Sequence, residues 1–244
     1  MSGMLRAEAL KRRHTFAGLL PFAAPVLTLF LVLPWAGGAA QTFFAGAWNW
    51  WYTLLLPGTL AVACDLGLKK DKKTAYYHML SLPVPVERCV CGKLFYEAVC
   101  LLLADMLLFA GSCAGLALCG MPVCARGFFL AALLLTVTFL WEIPLFLFLS
   151  ARFGTVCVLV TSLALSFVSV IAANTALWWV CPAAIPIRLM CPVLGILPNG
   201  LPVPADSHLW DRGVILPGVL LALAWAAVLI CAVPAWFSRR AVDE

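Results

Sequence analysis

Six apolar runs constrain this chain more than any other feature. A helix rises 1.5 Å per residue, so about 20 residues cross a hydrocarbon core of about 30 Å. Runs of that order lie at 16–36, 51–68, 94–118, 128–150, 155–180 and 213–237. Hydrophobic residues make up 64% of the 244 residues and charged residues only 11%, where a soluble domain carries about 25% charge. A mean hydropathy of +1.03 leaves too little polar surface for a water-soluble fold. The expectation is one all-α integral membrane domain over 1–244 with six transmembrane helices. The net charge of +5 then reads loop by loop as topology, and not as a nucleic-acid footprint.

The longest polar interval is Asp65 to Lys93. It holds six of the sixteen basic residues: Lys69, Lys70, Lys72, Lys73, Arg88 and Lys93. With the N-terminus inside, thirteen bases fall on the inner segments and three (Arg126, Arg188, Arg212) on the outer ones. This positive-inside bias predicts an N-in, C-in topology, with 69–93 as a cytosolic loop. The Lys69–Lys73 run serves as a topology anchor on anionic lipid.

Residues 1–15 combine Met4, Leu5 and Leu10 with Arg6, Lys11, Arg12 and Arg13, the pattern of a short interfacial helix. A cleaved signal peptide is the competing reading of the first run, because Gly38-Ala39-Ala40 resembles a small-residue cleavage site. Against it stand the length of the run and its interruption by Pro21 and Pro25. The aromatic segment Gln41–Tyr52 is expected to lie along or dip into the outer face, as amphipathic rings do. Pro57-Gly58 predicts a kink in the second span. Gly111 and Gly115 form a GxxxG spacing that lets helices approach closely. Ala151 to Gly154 reads as a tight turn. The interval 181–212 contains six prolines, which oppose a regular helix and predict a compact, partly re-entrant or interfacial segment. Most of the eleven cysteines fall in apolar runs, where the thiol behaves as a small hydrophobe. Cys119, Cys124, Cys181 and Cys191 sit where an oxidising exterior has access, and pairing of Cys181 with Cys191 is an open alternative.

Catalytic patterns are missing. There is no GxxxxGK[ST], HExxH or GxSxG, and the chain is not expected to be an enzyme or to hold a metal. Charge inside a span is costly and marks functional candidates. Asp105 lies in the third span and Glu142 in the fourth, within Trp141-Glu-Ile-Pro144. Pro144 frees the carbonyl of residue 140. Hydrogen bonding within the bundle is the leading reading for Glu142 and contact with a substrate path the alternative. Asp65 is expected to pair with Lys69 and Lys70 at the interface.

Within the polar interval, Tyr76 to Leu80 forms an amphipathic stretch that stops at Pro83. A second helical stretch restarts near Pro85, with Val86, Cys89, Val90, Lys93 and Leu94 on one face. The pattern Leu80-Ser-Leu-Pro-Val84, followed by Gly92-Lys93 as a hinge into the third span, resembles the loop that carries the coupling helix in ABC-2 type permeases. A longer ordered set resembles the lantibiotic self-protection (immunity) permeases of the MutE/EpiE type. It comprises Asn49-Trp-Trp-Tyr52, Leu56-Pro-Gly58, Lys70-Asp-Lys-Lys73, Ser81-Leu-Pro83 and Trp141-x-Ile-Pro144. Leu147-Phe-Leu-Ser150 with Phe153-Gly154, Trp178-Trp179, Arg188-Leu-Met-Cys-Pro192 and Leu197-Pro-Asn-Gly200 continue it. Glu142 departs from that pattern, which carries a neutral amide there.

The resemblance implies a permease subunit in the bacterial plasma membrane. Its partners would be a cytosolic ABC ATPase dimer and a second ABC-2 permease subunit. Together these release a cationic antimicrobial peptide from the lipid bilayer for self-immunity. ATP and Mg would bind in the partner ATPase and no cofactor in this chain. Tyr76, Tyr77, Leu80, Leu82, Pro83 and Val86 become the expected ATPase-coupling residues. Asn49, Trp50, Trp51, Tyr52, Asp105 and Glu142 become a candidate substrate path. Export of a lipid or other amphiphile is the alternative, and a stand-alone membrane sensor or structural protein is the alternative of another class.

Overall fold

The computed structural model describes residues 2–13, 15–32, 46–74, 76, 84–123 and 125–243, and it is helical almost throughout. Its helices are α1 (Ser2–Arg12), α2 (Phe16–Val32), α3 (Gly46–Lys73), α4 (Val86–Leu118), α5 (Ala125–Phe139), α6 (Glu142–Phe153), α7 (Thr155–Ala172), α8 (Ala184–Leu194) and α9 (Ile215–Asp243). Four of these, α3, α4, α7 and α9, are each long and apolar enough to cross a membrane. The bent pairs α1–α2 and α5–α6 raise the number to six if each counts as one span.

Helix α4 is the central post. It packs against α1, α2, α3, α5 and α9, while α3 packs against α2, α6 and α7. The close approach of α2 and α4 rests on Gly111, where a Cβ would collide with Leu29 Cδ1. Polarity runs opposite to that of a soluble bundle. Helix α7 turns Ser162, Ser166 and Ser169 inward and leaves Val160, Phe167 and Ile171 exposed. Exposed Phe22 and Phe30 on α2, and Leu216, Leu220 and Val228 on α9, continue the apolar exterior. A bundle with apolar residues on both its inner and outer faces needs hydrocarbon as solvent.

Several expected boundaries move. The second span starts at Gly46, five residues before the expected 51, so Asn49–Tyr52 belong to a helix and not to a segment lying on the surface. The Gly46–Lys73 helix also runs past 68, and α4 starts at Val86 instead of 94. The polar connection is therefore 74–85. Pro85 stands at the N-cap of α4, where its missing N–H has no role in the helix. Gly92-Lys93 is not a hinge, since α4 runs unbroken through it; Gly92 lies against Met4 of α1, with only 3.1 Å between a Cβ placed there and Met4 Cβ. The fourth span is broken at Leu140-Trp141 by a 40° bend, immediately before the Pro144 that denies residue 140 its helical partner. Residues 151–153 finish α6, and Gly154 alone makes the turn at φ 89°, ψ −176°.

The proline-rich interval is more regular than expected. Helix α8 lies inside it and is buried along nearly its whole length. Pro186 falls in the first turn, where amide protons have no intrahelical acceptor, and Pro192 falls in the last. Gly195 at φ 71° closes the helix in the left-handed conformation. Arg188, which reads as an outer base in the sequence, is buried; its Nη1 and Nη2 donate to the carbonyls of Leu209 (3.0 Å) and His208 (3.3 Å). Cys181 and Cys191 are both free thiols, as are the other described cysteines, so no disulfide joins them.

Candidate functional site

The candidate path residues divide between the bundle interior and its surface. Asn49, Trp51 and Tyr52 are buried, whereas Trp50 is 60% exposed and faces away from them. The turn Trp51–Leu55 is π-helical, with the Leu56 amide donating to the Trp51 carbonyl. Pro57 gives a reason for this irregularity, because it offers no N–H to the carbonyl one turn back. Two threonines take up neighbouring carbonyls: Thr53 Oγ1 donates to Asn49 O and Thr59 Oγ1 to Leu55 O, each at 2.6 Å. Wide turns of this kind occur often at functional positions.

That turn aims Trp51 at Asp105 near the middle of α4. The indole Nε1 donates to Oδ1 at 2.9 Å and Thr136 Oγ1 donates to Oδ2 at 2.8 Å. Asp105 is fully buried and so ties α3, α4 and α5 together at depth. Glu142 is equally buried in the first turn of α6, but it does not join this group. Its Oε2 and the neighbouring Trp141 Nε1 have no hydrogen-bond partner among the described residues, so the expected bonding within the bundle is not made at that oxygen. An Asp105→Ala substitution is expected to destabilise by about 1–3 kcal/mol, because the indole N–H stays buried without an acceptor. Asp105→Asn keeps an acceptor for Trp51 and should cost less than the alanine variant. Thermal unfolding of the two variants in detergent micelles checks the ranking.

Of the expected coupling residues, Tyr77, Leu80, Leu82 and Pro83 lie outside the described residues. Tyr76 and Val86 flank them, and both pack against the core. Tyr76 adopts φ 60°, uncommon for a residue with a side chain. Its ring meets Phe237 of α9 edge-on at 6.1 Å.

The ends of this connection are joined by a buried ionic group that sequence reasoning missed. Lys93 Nζ contacts Asp71 Oδ2 at 2.6 Å and Glu8 Oε1 at 3.0 Å. Arg12 pairs with Glu97 through Nη1 and lies 4.6 Å over the Tyr96 ring. Lys93 and Glu97 are each 1% exposed. Lys11 completes the group with Glu8 at 3.1 Å and Asp71 at 3.7 Å; burial works to lower its pKa, but these two carboxylates outweigh it and the net shift is upward. The last turn of α3, the second and third turns of α4 and the basic helix α1 are thus one body. Signals for it exist in the sequence as i, i+4 charge pairs, Glu8/Arg12 and Lys93/Glu97, whose bases the charge count treats as solvated.

Asp65 pairs with Lys72 at 2.9 Å, and not with Lys69 or Lys70. It also accepts from Ser150 Oγ at 2.6 Å and Thr155 Oγ1 at 2.7 Å, which binds α3 to the α6–α7 turn. Among the described residues no group of three or more His, Cys, Asp or Glu side chains is placed to hold a metal ion.

Fold and sites together define the class: an all-helical chain, with four to six helices fit to span a membrane and acids held inside the bundle. Comparison with protein-family models, curated proteins and solved structures gives no match to this chain.

Proposed function

We propose that this chain is a permease subunit of an ABC-2 type exporter, of the lantibiotic self-protection kind, in the bacterial plasma membrane. In this reading six spans run N-in and C-in, and the basic end of the bundle faces the cytosol. A separate ATPase dimer supplies ATP hydrolysis with Mg, and a second permease subunit completes the pathway. The substrate is a cationic antimicrobial peptide drawn from the bilayer.

The observation that best supports the reading is the joint formed by Asp71, Lys93, Glu8, Arg12 and Glu97. A force applied to the connection 74–85 would reach α3 and α4 together, because their ends are locked by buried ion pairs. A transport subunit without its own nucleotide-binding loop needs such a rigid lever to receive movement from a motor. Inside the bundle, Asp105 and Glu142 place acidic groups where a cationic peptide would be handled.

The test is protection. Cells carrying this chain with its ATPase and second permease should survive a cationic lantibiotic at concentrations several-fold above those tolerated by cells lacking only this chain. Equal sensitivity would remove the peptide assignment and favour export of a lipid or other amphiphile. Protection that persists without the ATPase would point instead to a stand-alone membrane protein.

A further inference from the structure

We propose that the cleft between the α1–α2 elbow and the end of α3 binds the phosphate headgroup of an anionic phospholipid. The cleft has a volume of about 270 Å³ and is walled by residues of three helices. It presents five bases, Lys11, Arg12, Lys69, Lys70 and Lys73, against two acids, Glu8 and Asp71. Both acids are already engaged, by Lys11 and by Lys93 from behind the wall. Lys70 donates to the Lys11 carbonyl at 2.6 Å. Lys69 and Lys73 have no ion pair among the described residues. The cleft therefore keeps a positive surplus after every internal pair is counted.

A second observation is independent of the surface lysines. Arg12 is 4% exposed, yet its Nε and Nη2 have no hydrogen-bond partner among the described residues. Nη1 donates to Glu97, and Nη2 has only a long ion-pair contact with Glu8 Oε2 at 3.9 Å, beyond hydrogen-bond distance. Buried donors without an acceptor are rare in native proteins and ask for an explanation. Here Nη2 lies against Gly67, itself part of the cleft wall, with Glu97 Oε1 beside it. A planar guanidinium whose Nε and Nη2 make no hydrogen bond among the described residues matches the paired oxygens of a phosphodiester.

The remaining wall decides between a lipid and free phosphate. Phe16, Ala17 and Leu66 line the same cleft, and Phe16 is 62% exposed at the start of an apolar helix. A headgroup among the bases would leave its acyl chains beside this apolar side. Helix α1 turns into α2 through 83° at this place, the geometry of an interfacial helix meeting a span. The proposal requires only that the chain sits in a membrane, and it stands or falls separately from the export reading.

Native mass spectrometry of the full chain in detergent micelles tests it, with dioleoylphosphatidylglycerol and dioleoylphosphatidylcholine added at equal concentration. The phosphatidylglycerol should be retained preferentially. A Lys69→Gln/Lys73→Gln variant should bind it about 25-fold more weakly, about fivefold for each lysine. Both side chains are exposed, so folding should be unchanged by circular dichroism. Arg6→Gln, a base outside the cleft, should have no effect. Equal retention of the two lipids, undiminished binding by the double variant, or an equal loss with Arg6→Gln would overturn the proposal. Binding of inorganic phosphate without retention of the anionic lipid would overturn the lipid assignment as well.

Discussion

Replacing Glu97 by alanine is expected to destabilise the protein by about 3–5 kcal/mol, because it leaves the Arg12 guanidinium buried without its counter-charge. Arg12 is closed in by Gly67 on one side and the Tyr96 ring on another. A Cβ at position 67 would stand 2.8 Å from Arg12 Cζ, so there is no room for the side chain to relax sideways. Its nearest other carboxylate is Glu8 Oε2 at 3.9 Å, too far for a direct hydrogen bond. The readout is the thermal midpoint in detergent micelles. For a chain of this length a loss of 3–5 kcal/mol corresponds to a drop of the order of 10 °C. Arg12→Ala should cost a similar amount. The double variant should cost less than the sum of the two, since the charges act as a pair. An unchanged midpoint in Glu97→Ala would mean that α1 does not dock on α4 as described.

The second large effect concerns the connection between α3 and α4. Under the export reading, aspartate at both Leu82 and Val86 should reduce ATPase co-purification at least tenfold, since charged groups in an apolar docking contact are left desolvated and unpaired. Membrane insertion should be unaffected, because no basic residue is altered and the apolar spans remain. Val86 is the first residue of α4 and is only half-buried, so an aspartate there is compatible with the helix. An unaltered pull-down in cells that insert the variant normally would remove the docking assignment. Glu97→Ala supplies the complementary case: it should loosen the lever while leaving the docking residues in place.

Much of the fold was legible because its cause is local. The apolar runs at 94–118, 155–180 and 213–237 needed only length and hydropathy, and helices α4, α7 and α9 occupy them with shifted ends. The restart at Pro85 followed from the chemistry of proline; the break before Pro144 was not expected in the 128–150 run, although the carbonyl that proline strands accounts for it. Misplaced boundaries have a common physical origin. Charges at Asp71, Lys72 and Lys93 look like loop residues to a hydropathy count, but held in ion pairs they continue a helix beyond the apolar run. The proline-rich α8 escaped notice because Pro186 and Pro192 fall in the terminal turns, where the helix tolerates them.

Asp105 and Glu142 stood out in the sequence as acids within apolar runs, and both are buried. Their surroundings could not be read there. Trp51 and Thr136 reach Asp105 from 54 and 31 residues away, through a π-helical turn that no periodicity announces.

The sequence by itself determined that this chain lives among apolar surroundings as a set of helices, since backbone polar groups in hydrocarbon must be satisfied within each segment. Only the tertiary structure decided which charges are buried partners and which remain free. It put Lys93 and Arg12 into ion pairs and left Lys69 and Lys73 facing a cleft. That distinction depends on which helices lie side by side, and the energy of a charge depends on its neighbours in space.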